Sequence, residues 1–205
     1  MNMSNKKIQF AIIGLGDRGS LYASCAESFS DVMELTAIAD INPEKLKRAA
    51  EKYNIPSDRC FSSAEELLQQ EKLADVLCIA TLDQMHYQQA IAGLRKGYHL
   101  LLEKPISPNP SECKEIAKVA HETNRNVVVC HVLRYTPFYS KLKEIVDSGK
   151  IGEIVSIQAI EQVSYWHQAH SFVRGNWRNS ETTSPMILQK SCHDMDILLW
   201  LAGKT

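Results

Sequence analysis

Hydrophobic positions in this chain recur with two different periods, and the alternation between them predicts the fold. Short, nearly unbroken apolar runs at residues 8–13, 33–39, 74–80, 98–102 and 127–130, with a brief one at 59–61, read as strands buried on both faces. Between them lie amphipathic stretches of helical period, one opening after the first strand and others at 43–53, 63–70, 85–96 and 111–123. Asn42-Pro43 is an N-cap followed by proline at the first helical position. Strict β–α alternation with short connections implies a doubly wound parallel sheet with helices on both sides, an α/β fold. After residue 131 the pattern changes. A helix is expected at 137–148, ended by Gly149, and residues 153–163 alternate like a half-exposed strand, with Ile154, Ser156, Gln158, Ile160 and Gln162 on one face. A polar, aromatic loop at 164–185 and a final helix at 186–201 follow. One strand, one loop and one helix cannot cover a sheet. The expected division is therefore a complete domain at 1–131 and an incomplete α/β domain at 132–205, as in a fragment or a shortened gene product.

Composition leaves that picture intact and excludes several functions. A net charge of −1 over 205 residues gives no electrostatic footprint for nucleic acid, and no basic run carries interleaved aromatics. The apolar stretch after the polar residues 1–7 is too short for a secretory h-region or a membrane span. The six cysteines (Cys25, Cys60, Cys78, Cys113, Cys130 and Cys192) are scattered without a C-x-x-C pair, several of them inside apolar runs. They read as reduced core thiols, which points to a cytoplasmic protein. No two of the seven histidines stand at i, i+4 and no thiolate cluster lies near them, so no metal site is expected.

The richest segment begins where the first apolar run feeds into Gly14-Leu15-Gly16-Asp17-Arg18-Gly19. Strand, glycine-rich turn, helix, second strand and Asp40 about 20 residues past the last glycine are the parts of a dinucleotide-binding unit. Gly14 allows the tight turn, Gly16 lets the backbone approach a pyrophosphate, and Gly19 brings the helix against the sheet with its N-terminal amides facing the phosphates. Asp40 accepts from ribose hydroxyls; no arginine follows in Asp40-Ile41-Asn42 to hold a 2′-phosphate, so NAD is expected over NADP. The bland alternative is an ordinary βα turn in which Asp40 caps the next loop.

Three further segments carry candidate chemistry. Glu103-Lys104-Pro105 lies just beyond the carboxyl end of a strand, where ligands sit in open α/β sheets. Lys104 suits a substrate hydroxyl that gains negative charge as its hydrogen departs as hydride, and Pro105 fixes the loop, with a cis Lys–Pro bond as one way to do so. A surface ion pair beside a loop proline is the alternative. Thr81-Leu82-Asp83-Gln84-Met85-His86 opens a helix at the same edge; Thr81 or Asp83 is expected to cap it, with Thr81, Leu82 and His86 contacting cofactor, and His86 facing cleft or solvent. On the final helix, Gln189, Lys190, His193 and Asp196 share a face by i, i+3, i+4 spacing. His193 suits proton acceptance because imidazole titrates near neutrality. A satisfied histidine beside a solvated face, with Lys190 paired to Asp194, fits the same residues. Cys192 and His193 are adjacent and point about 100° apart, so they do not form a nucleophile pair.

Taken together, these residues resemble the Gfo/Idh/MocA oxidoreductases, the glucose–fructose oxidoreductase and inositol dehydrogenase group. The resemblance rests on Ala11-Ile12-Ile13-Gly14-Leu15-Gly16 with Gly19, Ala39-Asp40, Thr81 to His86, Glu103-Lys104-Pro105, Gly149-Lys150-Ile151-Gly152-Glu153, and His193-Asp194-Met195-Asp196 ahead of Trp200-Leu201. It implies a Rossmann domain binding NAD(P), then an open-sheet α/β domain that carries substrate contacts and an oligomer interface. The implied chemistry is reversible oxidation of a secondary hydroxyl on a sugar, polyol or inositol, with Lys104 and His193 catalytic. Arg134, Trp177, Arg178, Gln189 and Lys190 join them as expected substrate contacts, and a homo-oligomer is expected of the full-length form. Trp166, His167 and His170 are further candidates from the aromatic loop. Two departures stand out. Gln189 occupies the place where many members carry an aspartate, so either Asp196 supplies the missing carboxylate or Lys190 and Lys104 favour an anionic substrate such as a sugar acid. The chain is also short for the family, which predicts weak or absent turnover with dinucleotide binding retained. The same resemblance leaves room for a redox-neutral glycosidase using bound NAD and for a non-catalytic dinucleotide or sugar sensor.

Overall fold

A computed structural model describes residues 6–179 and 183–203 and divides the chain into two compact units, 1–129 and 130–205. The first unit alternates strand and helix throughout: β1 (Ile8–Ile13), α1 (Asp17–Ser28), β2 (Met33–Ala39), α2 (Pro43–Tyr53), β3 (Cys60–Phe61), α3 (Ala64–Gln69), β4 (Val76–Ile79), α4 (Asp83–Arg95), β5 (His99–Leu102), α5 (Pro110–Glu122) and β6 (Val127–Val129). All strands are parallel, in the order β3-β2-β1-β4-β5-β6. The chain winds outward from β1 in both directions, which is the doubly wound arrangement expected of the apolar runs.

Successive strand residues point to opposite faces, so a sheet covered on both sides needs apolar residues at every position. Along β1, Ala11 and Ile13 enter one buried cluster and Phe10 and Ile12 the other. The first cluster gathers Leu77, Ile79, Leu100 and Leu102 against Leu67 of α3, Leu94 of α4 and Ile116 of α5. The second sets Ile38 and Cys78 against Ala23 of α1, with Leu46 and Ala50 of α2 at its margin. The register between β1 and β2 slips between Phe10 and Ala11, and Thr36 is the extra residue; its hydroxyl donates to the Leu73 carbonyl at 3.1 Å. At α2, the Asn42 side chain accepts from the amides of Glu44 and Lys45 ahead of Pro43, the cap expected of that dipeptide.

The second unit contains a 3₁₀ turn at Val132–Tyr135, then α6 (Pro137–Asp147), α7 (Tyr165–Gln168) and α8 (Met186–Leu201). The helices expected at 137–148 and 186–201 are both present. The strand expected at 153–163 is not: these residues carry no regular structure, and Val155 is 97% and Ile160 74% exposed. Alternation of side chains specifies a face, but strand identity is conferred by ladder hydrogen bonds, and the described residues of this unit supply no neighbouring strand. The aromatic loop is more ordered than its composition suggested. Beyond α7 it continues through a π turn at Ala169–Val173 and a 3₁₀ turn at Asn176–Arg178, while residues 180–182 of the expected loop lie outside the described residues.

Leu77 is wholly buried in the centre of the larger cluster. Leu77→Ala should cost about 2–5 kcal/mol of unfolding free energy. A urea denaturation series reads it, and a loss under about 1 kcal/mol would mean that the sheet is not packed on that face.

Candidate active site

The site follows from the register of the sheet. Ile13 pairs with Ala39 on one side and Ile79 on the other, and Ile79 pairs with Leu102. The residues that follow these strand ends, Asp40, Gly14, Ala80 and Glu103, therefore line up along the carboxyl edge. That edge is where open parallel sheets bind ligands.

Each glycine of the turn has its own physical reason. Gly14 sits at φ +91°, and a Cβ there would lie 2.7 Å from the Ala80 carbonyl oxygen, so the turn tolerates no side chain. A Cβ on Gly19 would lie 1.7 Å from the Gly14 carbonyl oxygen; its absence allows α1 to start directly against the strand end. A Cβ on Gly16 would meet nothing within 4 Å, and Gly16 is the N-cap of α1 with no side-chain cap. The first turn of α1 thus presents backbone amides and the positive helix end to open space, which fits a dinucleotide pyrophosphate. Asp17 and Arg18 are exposed beside it, and Leu15 is buried. Asp40 holds this turn in place: Oδ2 accepts from the Leu15 amide at 2.5 Å and Oδ1 from the Asn42 amide at 2.7 Å.

At the β5 end, the Lys104–Pro105 bond is cis. The Glu103 carboxylate is 6% exposed; it accepts from the Tyr22 hydroxyl at 2.5 Å and from the Lys104 amide at 3.0 Å, and Arg18 Nε lies 3.8 Å away. Lys104 itself is half-buried. The β4 end differs from expectation. Neither Thr81 nor Asp83 caps α4, whose N-cap position is Leu82; the Thr81 hydroxyl donates to the buried Gln89 at 2.8 Å. His86 faces neither cleft nor solvent. It is 1% exposed, with Nδ1 2.9 Å from the Pro105 carbonyl and Nε2 3.2 Å from the Thr81 carbonyl. A neutral ring has one proton to give, and the shorter contact assigns it to Nδ1 donating to Pro105. His86 therefore holds the Pro105 loop through its one N–H, with the Thr81 carbonyl lying against the other ring nitrogen.

In the second unit, α8 carries His193, Gln189, Lys190 and Asp196. Gln189 is 4% exposed. Asp196 does not stand in for a missing carboxylate beside His193: both its oxygens are taken by Arg134, through Nε at 2.7 Å and Nη2 at 2.6 Å. Arg134 also lies 5.5 Å from the Trp200 ring centre, so it joins the Val132–Tyr135 turn to α8. His193 meets His131 edge to face, ring centres 5.7 Å apart. Lys190 points toward the aromatic segment, with Nζ 2.7 Å from His167 Nε2 and 5.6 Å from the Phe172 ring centre. The Cys192 thiol donates to the Gln189 carbonyl along its own helix. Trp166 stacks on His170, while Trp177 and Arg178 are exposed. Tyr22 and His131 escaped sequence reasoning. Tyr22 was findable as the residue one turn beyond Arg18 on the helix that follows the glycines; nothing local marked His131.

These features define a dinucleotide-binding α/β protein with a lysine on the cofactor edge. The chain belongs to the Gfo/Idh/MocA oxidoreductase family: residues 8–131 match its NAD-binding Rossmann fold and residues 143–205 its C-terminal alpha/beta domain. Among relatives, inositol 2-dehydrogenase of Corynebacterium glutamicum is 24% identical over 200 residues, spanning 97% of this chain and 55% of that protein. Inositol 2-dehydrogenase of Leifsonia xyli is 27% identical, spanning 93% and 53%. Scyllo-inositol dehydrogenase of Lactobacillus casei, solved with NAD(H) and scyllo-inositol, superposes with a TM-score of 0.81 at 25% identity, covering 97% of this chain and 57% of that one. The WlbA dehydrogenase of Bordetella pertussis, solved with NADH and UDP-GlcNAcA, gives 0.81 at 26%, covering 96% and 59%. The chain thus spans about half the length of the relatives it matches. Among the described residues no helix is long and apolar enough to cross a membrane.

Two predictions come from this geometry. Gly16→Ala meets no steric obstacle, so it should cost no more than about 1 kcal/mol of stability. It should nonetheless weaken NADH binding at least about tenfold in calorimetry, because its methyl fills the phosphate space; unchanged affinity would remove the diphosphate from that turn. For His86, burial is the dominant influence and lowers its pKa below 6.5, against smaller upward pulls from Pro105, Thr81, Asp83 and Glu103. The unfolded chain binds the proton more readily, so this contribution to stability is fully present above about pH 6.5 and is lost as pH falls toward the folded pKa. Urea midpoints should drop more steeply on acidification for the native chain than for His86→Gln. Parallel curves would show that the ring is not the titrating group.

Proposed function

We propose that the protein of which this chain forms part is an NAD-dependent dehydrogenase of a carbohydrate-like secondary alcohol. The single observation behind this reading is the row along the sheet edge, in which the phosphate turn at Gly14 and the Glu103-Lys104 loop follow the in-register ends of β1 and β5, with β4 between them. NAD, when bound, supplies the hydride acceptor. The first turn of α1 holds the diphosphate with backbone amides, and the Asp40 carboxylate takes the ribose hydroxyls. Thr81, Leu82 and the Glu103 loop wall the nicotinamide end. Lys104 Nζ donates to the substrate hydroxyl oxygen and stabilises its developing negative charge. His193 accepts the hydroxyl proton. Gln189, Lys190, Trp177 and Arg178 contribute substrate contacts, while Arg134 serves chiefly to hold α8 through Asp196. Support for a sugar-like substrate comes from the inositol dehydrogenases and the sugar-acid complex among the relatives.

The test is formation of NADH from NAD across inositols, neutral sugars and uronates, with the protein extended to its full length. Lys104→Ala should reduce turnover by about 10²–10³-fold while NADH affinity stays within about threefold. Turnover insensitive to Lys104 would reject the assignment. Turnover without net NADH would replace a dehydrogenase with a redox-neutral enzyme.

A further inference from the structure

We propose that Tyr22 is a positioning residue that transmits dinucleotide occupancy from α1 to Lys104 through the Glu103 carboxylate. The connection is continuous and short. The Tyr22 hydroxyl donates to Glu103 Oε1 at 2.5 Å, and the other oxygen of the same carboxylate accepts the Lys104 amide at 3.0 Å. Bonds between a hydroxyl and a carboxylate are among the stronger ones, and this carboxylate is 6% exposed, so water competes weakly for it. Arg18 approaches the same oxygen at 3.8 Å but its side chain is 46% exposed, which leaves the tyrosine as the firmer link.

The position of Tyr22 gives the link its meaning. It lies one turn beyond Arg18, on the helix whose first turn faces the phosphate space, and on the same face as Arg18. An anion at the α1 N-terminus fixes that helix, and a rigid helix carries the constraint to Tyr22 without intervening loops. From there two hydrogen bonds reach the backbone of the lysine. Ala23, the next residue, is wholly buried in the core, so α1 has little freedom to adjust locally. On the far side of the lysine, the Pro105 carbonyl is held by His86. The Lys104 peptide is thus clamped at both ends, and its Glu103 end connects to the cofactor helix. The consequence for turnover rests on the dehydrogenase reading above; the mechanical coupling does not.

The decisive measurement is backbone amide exchange at Lys104, followed by NMR with and without saturating NADH. In the native chain, NADH should slow this amide about tenfold, equivalent to about 1.4 kcal/mol of added protection. Tyr22→Phe keeps the ring and removes only the hydroxyl. It should bind NADH with an affinity within about threefold of native, yet NADH should then slow the Lys104 amide less than about twofold. The amides of Ile12 and Leu101 report on the sheet and should be unaffected. Equal protection of Lys104 in both proteins would overturn the coupling, as would exchange that accelerates equally at Ile12 and Leu101. A parallel turnover assay on the full-length protein should show kcat reduced about tenfold in Tyr22→Phe with the KM for NAD unchanged. Absence of turnover in the native protein would reject the dehydrogenase reading while leaving the exchange result to decide this one.

Discussion

Two absent side chains, at Gly14 and Gly19, set the geometry on which everything at the cofactor edge depends. The contact distances leave no alternative: either Cβ would collide with backbone oxygen, and backbone cannot swing aside as a flexible side chain can. With both absent, the chain leaves β1, turns in minimal length, and starts α1 close against the sheet. That close start aims the helix amides at the phosphate space and brings Tyr22 within hydrogen-bonding distance of Glu103. A helix displaced by even a bond length would lose the second effect before the first, because a hydrogen bond fails over a shorter distance than a helix dipole. The glycine turn therefore governs two things at once, anion binding and the anchoring of the lysine loop.

Much of the fold was legible because it is local. Buried parallel strands announce themselves as apolar runs, helices as the longer period between them, and Asn42-Pro43 marks a helix start by chemistry confined to neighbouring residues. Errors arose where a partner distant in sequence decides the outcome. Residues 153–163 alternate correctly for a strand yet have no ladder neighbour among the described residues. His86 lay on a turn where a ligand contact was a fair expectation, but the Pro105 carbonyl, 19 positions away, takes its one N–H, and the ring is buried. Asp196 sat at the right helical spacing from His193, and an arginine 62 residues earlier took its carboxylate. Helical spacing tells which side chains are able to meet; it does not tell which competitor reaches them first.

In the second unit, the polar face of α8 is paired by side chains from several segments. Asp196 is satisfied by a two-point guanidinium contact, Lys190 lies 2.7 Å from the His167 ring, and Arg134 gains the Trp200 ring as well. Such pairs orient α8 relative to the Val132–Tyr135 turn more than they stabilise it, since paired polar groups mostly recover what their desolvation costs. That orientation matters for His193, whose ring direction is fixed by the helix that carries it and by the His131 edge contact.

On the proposed function, the choice of NAD over NADP would rest on the lone pairs of one carboxylate. Asp40 has about four acceptor sites, and two are occupied by the Leu15 and Asn42 amides. Those bonds are to backbone, so they fix the carboxylate's orientation before any ligand arrives and cost nothing further on binding. Two sites remain, matching the two hydroxyls of an adenine-side ribose. A 2′-phosphate would instead bring a second anion against a carboxylate that two amides hold in place. Rotation away would strip the Leu15 amide of its partner and loosen the glycine turn itself. On the proposed function, discrimination against NADP would be tied to the integrity of the phosphate cradle, and relaxing it would take replacing the carboxylate's bond to Leu15 as well as adding an arginine after Asp40.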